Sequence, residues 1–297
     1  MLKKQASEMI RSVALSAIIF PLLANADNLC GVSPSIQKYE NALNGTDDSS
    51  LKIIYGHESV NGDWPWLVNV GKYCTGSIVG KKWVLTASHC GTTKGGLIFY
   101  GDVDANKAKN ATVAKNFPFC PDCHTSSDAQ SDQNIDIMLL ELQEPLTFDE
   151  SVKPICLTNE INSGLGDWEV VAGWGLNAAI TQDHEVARED KIPIETPDYC
   201  SKDDLRNLTG TKEICAGTDG LGVTKGDSGG PLMALKHGKW YQHGITSRSF
   251  GRGGLPPLQL SKELFHRGIY TDVTKFCDWI EKTTKGEVQC ENDNIFE

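Results

Sequence analysis

The sequence predicts an all-β fold that is closed by one C-terminal α-helix. Short runs of β-branched, aromatic and other apolar residues alternate with turns rich in Gly, Asn, Asp and Pro, as in antiparallel barrels. Runs of this kind are Trp66–Val70, Trp83–Thr86, Leu97–Tyr100, Ile137–Leu142 and Glu169–Ala172. The helix is indicated by Val273, Phe276, Cys277 and Ile280, whose spacing places them on one face. We interpret that face as core packing.

The first 26 residues have the parts of a secretory signal peptide. Three basic residues accompany an apolar run over residues 13–23, and Ala24-Asn25-Ala26 has the small-x-small pattern of a cleavage site. The run is too short to span a membrane. A buried N-terminal helix is the alternative interpretation. We expect residues 1–26 to be removed and the secreted, extracellular chain to begin at Asp27.

Net charge narrows the range of partners. The chain carries a formal charge of −11, and it becomes more acidic without residues 1–26, which contain three basic residues and one acidic residue. An acidic surface repels nucleic acids and anionic membranes, so we expect neither as a partner. We see no motif for a metal or another cofactor, and the acidic residues Asp102 and Asp104 are too sparse to predict a calcium site.

Three short motifs contain the residue types of nucleophilic catalysis. Ser228 lies in a turn from Gly226 to Pro231, where glycines allow backbone N–H groups to approach an oxyanion. His89 ends the apolar run that begins at Trp83, and Asp136 is a carboxylate inside an apolar strand, where a charge is costly unless it is paired. Each residue alone has a structural interpretation. Together, in the order His, Asp, Ser, they predict a base, an orienting acid and a nucleophile.

At these residues the chain resembles the chymotrypsin-like serine proteases of the trypsin family, over residues 53–285. The segments that carry the resemblance are Ile53-Ile54-Tyr55-Gly56, Trp64-Pro65-Trp66, Thr86-Ala87-Ser88-His89-Cys90, Asp136-Ile137-Met138-Leu139-Leu140, Gly173-Trp174-Gly175, Ile214-Cys215-Ala216-Gly217 and Gly268-Ile269-Tyr270-Thr271. The resemblance implies two packed antiparallel Greek-key β-barrels and a secreted serine endopeptidase. It also implies extracellular protein or peptide substrates, an activating protease and protein inhibitors as partners.

The resemblance implies a role for each residue of the site. Ser228 is the nucleophile, His89 is the general base and then the general acid, and Asp136 orients the imidazole. The N–H groups of Gly226 and Ser228 form the oxyanion hole. Ser247 supports the aspartate and lines the substrate cleft.

The resemblance further implies that the chain is a zymogen. Residues 27–52 form a propeptide or light chain with little hydrophobic periodicity, and cleavage after Lys52 activates the enzyme. The new ammonium group of Ile53 then pairs with Asp227. The remaining residues, 286–297, are predicted to be a polar tail that is mobile unless Cys290 ties it down.

The ten cysteines of a secreted chain predict disulfide bonds. The resemblance implies three of them: Cys30–Cys156, Cys74–Cys90 and Cys200–Cys215. The sequence leaves the pairing of the other four open, namely Cys120, Cys123, Cys277 and Cys290. The run from Cys120 to His124 also allows a redox or zinc element. Glu169 and Ala234 occupy the two positions of a further disulfide of the family.

The resemblance places the substrate pocket at Gly222, Ser247-Arg248-Ser249 and Gly268. Trypsin-like enzymes carry an aspartate at the position of Gly222, and an uncharged floor cannot repay the desolvation of a lysine or arginine at the P1 position of the substrate. Arg248 replaces the usual tryptophan, and Thr224 replaces a cysteine of the pocket disulfide. Two interpretations remain. The pocket favours acidic or apolar P1 residues, or it is merely shallow and the nearby arginines are solvated.

Asn44, Asn110 and Asn207 begin Asn-x-Thr sequons, which predict surface glycosylation in a secreted protein. The alternative function is a catalytically weak protease homologue that acts as an extracellular binding or regulatory module. A lipase or esterase is disfavoured, because its triad follows the order Ser, Asp, His.

Overall fold

A computed structural model describes residues 30–43, 56–92, 94–120, 135–175, 185–201, 212–218, 221–249 and 267–291. The expected signal peptide, the bond between Lys52 and Ile53, and the sequons at Asn44 and Asn207 lie outside these ranges. No helix in the described ranges is long and apolar enough to cross a membrane.

Thirteen strands and three α-helices make up the described chain. In chain order they are α1 (Ser35–Leu43), β1 (His57–Glu58), β2 (Leu67–Val70), β3 (Cys74–Gly80), β4 (Trp83–Thr86), β5 (Leu97–Tyr100), β6 (Lys109–Pro118), β7 (Met138–Leu142), β8 (Trp168–Gly173), β9 (Arg188–Glu195), α2 (Pro197–Ser201), β10 (Glu213–Ala216), β11 (Pro231–Lys236), β12 (Lys239–Ser249), β13 (Gly268–Asp272) and α3 (Cys277–Thr284).

The strands form two closed barrels. The first barrel has the order β2-β3-β4-β7-β6-β5, and the pairing of β5 with β2 closes it. The second barrel contains β8 to β13, and it closes where β8 pairs with both β11 and β9. All pairings between the described strands are antiparallel, and β1 adds a short strand to β9. The prediction of an all-β fold of two antiparallel barrels is therefore confirmed.

Both barrels are filled by apolar side chains, several of which come from the short runs that predicted strands. Trp66, Ile78, Leu85 and Leu139 are fully buried in the first barrel. Every residue of β2 and β4 is buried, which agrees with their nearly continuous apolar sequence. Burial of such side chains is the main force that holds each barrel closed.

The predicted C-terminal helix is present and leads into a packed end of the chain. A 3₁₀ turn over Val273–Phe276 precedes α3, and the side chain of Asp272 accepts a hydrogen bond from the N–H of Thr274 at 3.0 Å. A disulfide joins Cys277 to Cys290, one of the pairings that the sequence left open. Val288 is 3% exposed. The chain is thus packed as far as Glu291, and residues 292–297 lie outside the described ranges.

The N-terminal segment is more structured than the sequence indicated. The expectation of little hydrophobic periodicity before Lys52 was wrong, because α1 places Ile36, Tyr39, Ala42 and Leu43 against the core. These positions are spaced i, i+3, i+6 and i+7, a narrow stripe on a short helix. Tyr39 is fully buried.

Candidate active site

The Gly-rich turn that carries Ser228 is held between the two barrels. From β3 in the first barrel, the N–H of Thr75 donates to the carbonyl of Ser228 at 2.8 Å and its hydroxyl donates to the carbonyl of Gly226 at 2.9 Å. From the other side, the N–H of Gly229 donates to the carbonyl of Thr246 in β12 at 2.7 Å. The serine therefore lies at the junction of the barrels.

Two glycines allow this close approach. Gly226 has φ +108° and Gly229 has φ +80°, which are left-handed conformations that other residues rarely adopt. A Cβ atom on Gly229 would lie 2.4 Å from the carbonyl oxygen of Thr75. Within the described ranges, neither the N–H of Gly226 nor that of Ser228 donates a hydrogen bond. Both groups are thus free to hold a developing oxyanion.

Asp227 braces the same turn from behind. One oxygen of its carboxylate accepts the N–H of Gly175 at 2.7 Å, and the other accepts the N–H of Thr224 at 2.8 Å. The hydroxyl of Thr224 lies 3.3 Å from that second oxygen. Thr224, which replaces a cysteine of the family's pocket disulfide, therefore contributes hydrogen bonds to the turn instead of a covalent bridge.

His89 and Asp136 form a hydrogen-bonded pair. His89 lies in a 3₁₀ turn directly after β4, and a disulfide joins its neighbour Cys90 to Cys74. Asp136 Oδ2 is 2.6 Å from His89 Nδ1, and Asp136 Oδ1 accepts the backbone N–H of His89 at 3.0 Å. Asp136 precedes β7 by two residues, so the expectation that it lies inside the strand was wrong. The aspartate thus fixes both the backbone and the ring of the histidine.

The second barrel completes the aspartate's surroundings. Ser247 donates its hydroxyl to Asp136 Oδ2 at 2.7 Å, and Thr271 donates its hydroxyl to the carbonyl of Asp136 at 3.2 Å. Ser247 follows Thr246, the residue whose carbonyl accepts the N–H of Gly229. Successive residues of β12 therefore hold the aspartate and the turn of Ser228, which brings the predicted groups to one place.

The electrostatics of the pair favour a charged aspartate beside a basic histidine. The hydrogen bond to Asp136 raises the pKa of His89, although burial opposes this effect. Burial alone would raise the pKa of Asp136, but hydrogen bonds from His89 and Ser247 outweigh it and lower that pKa. No hydrogen bond joins the hydroxyl of Ser228 to His89 among the described residues. Such bonds often tighten only when substrate binds.

The floor of the predicted substrate pocket is uncharged and crowded. An added Cβ on Gly268 would lie 2.9 Å from a methyl group of Val223 and 3.0 Å from the ring of Tyr270. Val223 is 2% exposed and Tyr270 is fully buried. Gly222, the position that is acidic in trypsin-like enzymes, brings no side chain to this region. The described floor therefore carries no charge, and Val223 and Tyr270 leave no room for a side chain at Gly268.

Arg248 is not the solvated loop charge of the second interpretation. Its guanidinium lies 2.7 Å from the carboxylate of Glu213 in β10, and both side chains are only 13% exposed. Arg267 lies over the ring of Tyr199, with 4.6 Å between the guanidinium carbon and the ring centroid. Arg248 is thus neutralised by an ion pair within the protein and does not present an isolated charge to a substrate.

Behind the turn lies a cavity that sequence reasoning missed. Asp227, Gly173, Gly222 and the adjacent strand residues Glu189 and Asp190 all line it. Burial raises the pKa of Asp190 to about 7. Burial would also raise that of Glu189, but hydrogen bonds from His57, Lys38 and Trp64 lower it to about 2. The available signal was the adjacent Glu-Asp pair near the start of β9, ahead of the apolar residues Ile192 to Ile194.

Glu169, at one of the two positions of the further family disulfide, forms a buried pair with His243. Glu169 Oε1 lies 2.7 Å from His243 Nδ1, and both side chains are almost fully buried. Burial would lower the pKa of His243, but the charge and hydrogen bond of Glu169 outweigh it and raise that pKa. The pair links β8 to β12 without a covalent bond.

The described disulfides account for the clusters that could suggest a metal. The structure contains Cys30–Cys156, Cys74–Cys90 and Cys200–Cys215. Two described groups of metal-ligand residue types, Cys74-His89-Cys90 and Cys30-Cys156-Glu291, both rely on these bonded sulfurs, which cannot serve as thiolate ligands. Cys120 is also disulfide-bonded, whereas Cys123 and His124 lie outside the described residues.

Two six-stranded antiparallel barrels with a Ser turn and a His–Asp pair at their junction define the chymotrypsin-like fold. The Trypsin family model matches residues 53–280, so the chain belongs to the trypsin family of serine endopeptidases, which are hydrolases.

Three similar proteins support this assignment. Ovochymase of Halocynthia roretzi is 28% identical over 258 residues, which cover 80% of this chain and 15% of that protein. Coagulation factor XI of Bos taurus is 26% identical over 279 residues, which cover 89% of this chain and 43% of that protein. The chain thus spans less than half of either relative. Neuropsin, a serine protease expressed in the limbic system of mouse brain, superposes with a TM-score of 0.61 at 26% identity, over 77% of this chain and 98% of neuropsin.

Proposed function

We propose that the protein is a secreted serine endopeptidase that is made as a zymogen and activated by cleavage after Lys52. The observation that carries the proposal is the network in which Asp136 binds His89 and Ser247, beside the turn of Ser228. A buried carboxylate with these partners has the arrangement needed to hold a histidine as a base.

The proposed mechanism follows from these contacts. His89 Nε2 takes the proton of the Ser228 hydroxyl as the oxygen attacks the carbonyl carbon of the peptide bond. Asp136 accepts the hydrogen bond from Nδ1–H, so it keeps the reactive tautomer and stabilises the imidazolium that forms. The N–H groups of Gly226 and Ser228 hold the oxyanion. His89 then protonates the leaving amine, and water hydrolyses the acyl-enzyme by the reverse proton path.

Activation is proposed to act through Asp227. Before cleavage, Ile53 is joined to Lys52 and has no ammonium group. After cleavage, that ammonium group would pair with Asp227, whose carboxylate already binds backbone N–H groups on both sides of the cavity. A buried ion pair of this kind is favourable only when both partners are present. Asp227 directly precedes Ser228, so the pair would fix the oxyanion hole.

The compartment and partners follow from the same proposal. Disulfides persist in oxidising compartments, and the described bonds fit an extracellular protein. Extracellular proteins or peptides would be substrates, and an activating protease and protein inhibitors would be partners. Asn110 lies in β6 with an exposed side chain, so a glycan can be accommodated at that sequon.

We propose that the pocket accepts small, apolar P1 residues. Val223 and Tyr270 close the described floor around Gly268, and the ion pair with Glu213 removes the reason to expect acidic P1 residues opposite Arg248. The proposal therefore takes one part from each interpretation of the sequence: the preference for apolar P1 residues, and the shallow pocket.

The first prediction tests whether Ser228 is a nucleophile. The full chain cleaved after Lys52 is expected to react with a fluorophosphonate probe, and the label is expected on Ser228 by peptide mass spectrometry. Ser228→Ala should remove labelling because the nucleophilic oxygen is absent. Lys52→Gln, which blocks cleavage, should label poorly because no ammonium group forms at Ile53 to bind Asp227.

The controls separate the two functions. Absence of labelling in the cleaved wild-type chain would favour the binding module over the enzyme. If the Lys52→Gln chain labels as well as the cleaved wild-type chain, the protein is still a serine hydrolase, but the proposal that cleavage after Lys52 activates it is overturned.

A second prediction concerns the pocket. A peptide library is expected to show cleavage after small apolar residues, and Gly222→Asp should increase cleavage after lysine or arginine relative to alanine by about a hundredfold, because it supplies the missing carboxylate. The matched control is Ser249→Gly, which widens the pocket without adding charge. Dominant cleavage after lysine or arginine by the wild-type enzyme would contradict the proposal.

A further inference from the structure

One buried carboxylate joins three separate segments of the chain. Glu189 in β9 has a fully buried side chain, and it accepts hydrogen bonds from Lys38 Nζ and from the Tyr39 hydroxyl at 2.8 Å, both on α1. His57 Nε2 in β1 lies 2.9 Å from the same oxygen. The indole N–H of Trp64 donates to the other oxygen. The N-terminal helix, β1 and β9 therefore meet at a single group.

Lys38 supplies one of the contacts that stabilise this buried carboxylate, beside those of Tyr39, His57 and Trp64. A buried carboxylate is costly without a partner, and breaking such a pair is strongly destabilising because an uncompensated charge remains. The ammonium group of Lys38 forms a salt bridge with the Glu189 carboxylate. The same ammonium group lies 3.1 Å from His57 Nε2 and 3.7 Å from the carboxylate of Asp63. It thus neutralises the acidic residues where α1 meets the barrel.

The segment that carries Lys38 is anchored along its length. Cys30 is bonded to Cys156, and the carbonyl of Gly31 accepts the N–H of Trp240 at 2.9 Å. Tyr39 packs between Trp64 and Trp240, with ring centroids 5.6 Å and 5.5 Å away. Contacts of this extent would keep the segment docked after cleavage at Lys52, independently of the disulfide.

Glu189 connects this docking surface to the site. Its backbone pairs with Ala172 in β8 and with His57 in β1, and the residue lines the cavity that also contains Asp227 and Gly222. His57 is four residues after Ile53 in the sequence, a distance of at most about 14 Å in an extended chain. The anchor at His57 therefore limits where the new N-terminus can reach.

We propose that Lys38 and Tyr39 are positioning residues of the activated peptidase, and that the segment 30–43 is a permanent second chain that acts through Glu189. The pair holds β1 and β9 in place, and these strands shape the cavity wall opposite Asp227 and the route to it from the new N-terminus. The inference rests on the proposed function, and it assigns to the N-terminal segment a role in the active enzyme beyond tethering.

The test uses the full chain cleaved after Lys52. Lys38→Met is expected to lower kcat/KM for a peptide substrate at least about tenfold, because Glu189 loses its salt bridge to an ammonium group while its carboxylate stays buried. The loss should fall on kcat and on the rate of fluorophosphonate labelling more than on KM. Lys38→Arg should restore most of the activity, since it keeps the charge. Tyr39→Phe, which removes one hydrogen bond and preserves packing, should cost about threefold.

Two controls make the test specific. Lys239 pairs with Glu291 at 2.8 Å and is 35% exposed, close to the 33% of Lys38, but Glu291, unlike Glu189, does not line the cavity. Lys239→Met should therefore leave kcat/KM unchanged. In the background of Glu189→Gln, where the buried charge is absent, Lys38→Met should cost much less than in the wild type, so the two changes should not add.

Hydrogen exchange gives a readout that does not need activity. Lys38→Met is expected to speed exchange at the amides of β1 and β9 while the first barrel stays protected. If exchange is unchanged, or if Lys38→Met keeps the wild-type kcat while only lowering the melting temperature, the inference is overturned and the cluster is merely structural. Failure of the wild-type chain to label would instead overturn the proposed function, and the exchange result would still decide whether Lys38 holds these strands.

Discussion

Asp136→Asn in the cleaved chain is expected to lower kcat about ten-thousandfold, the size of the effect known for the corresponding change in this family. The carboxylate accepts from both the ring and the backbone of His89. An asparagine amide keeps the shape but would present an N–H or stabilise the wrong imidazole tautomer. His89 would then be unable to take the proton of Ser228. Steady-state kinetics on a peptide substrate measure the loss.

The pH profile distinguishes this explanation from a general loss of structure. The hydrogen bond to Asp136 raises the pKa of His89, and protonated histidine cannot act as a base. In Asp136→Asn the pKa of His89 should fall, so the acid limb of kcat/KM should move to lower pH. Ser247→Ala is the milder comparison, because it removes one hydrogen bond to the carboxylate and leaves the contacts with His89 intact. An unchanged kcat in Asp136→Asn would exclude the proposed role.

The sequence predicted those parts of the fold and site that short segments encode. The apolar runs that predicted strands correspond to β2, β4, β5, β7 and β8, because alternating turns and β-branched residues act locally. His89 and Ser228 were found for the same reason, since each lies in a short motif. The contact of Ser247 with Asp136 came from the family resemblance alone. Nothing in the 110 residues between them indicates that they meet at 2.7 Å.

Features that depend on distant partners were missed. The helix α1 is short, and its narrow apolar stripe does not by itself predict a helix. The stripe becomes a packing face only because the ring of Tyr39 packs against Trp64 and Trp240. Isolated helices of this length are marginal in water, so their stability comes from such packing. The ion pair of Arg248 with Glu213 was missed for a similar reason. The two residues are far apart in the sequence, and no local pattern indicates that they pair. The ion pair nevertheless changes how the charge of Arg248 beside the pocket is interpreted.

The largest expected effect on stability comes from Asp190. In the uncut Lys52→Gln chain, where Ile53 has no ammonium group, Asp190→Asn is expected to raise the free energy of unfolding at about pH 8 by up to about 4 kcal/mol, because each unit of pKa shift corresponds to about 1.4 kcal/mol. Burial raises the pKa of this carboxyl from 3.8 to about 7. Above that value the folded chain must hold a buried carboxylate, and the amide removes this cost.

The sign of the pH dependence follows from the protons bound. Between about pH 4 and pH 7 the folded chain keeps the proton on Asp190 while the unfolded chain loses it, so this group's contribution to stability falls as pH rises through that window. The difference between Asp190→Asn and its parent chain should therefore shrink as pH falls from about 8 and vanish near pH 4. Urea unfolding at several pH values measures this difference.

The neighbouring carboxylate, Glu189, has a pKa that is shifted in the opposite direction, so it provides a matched comparison. The pKa of Glu189 is lowered from 4.5 to about 2, so its contribution is present above about pH 4.5 and is lost as pH falls toward 2. Glu189→Gln should therefore destabilise the chain at neutral pH by up to about 3 kcal/mol, whereas Asp190→Asn stabilises it. Two adjacent residues of one strand are thus expected to respond with opposite signs, because the side chains of His57, Lys38 and Trp64 bind one carboxylate, whereas burial dominates at the other. Equal signs would show that burial alone governs both.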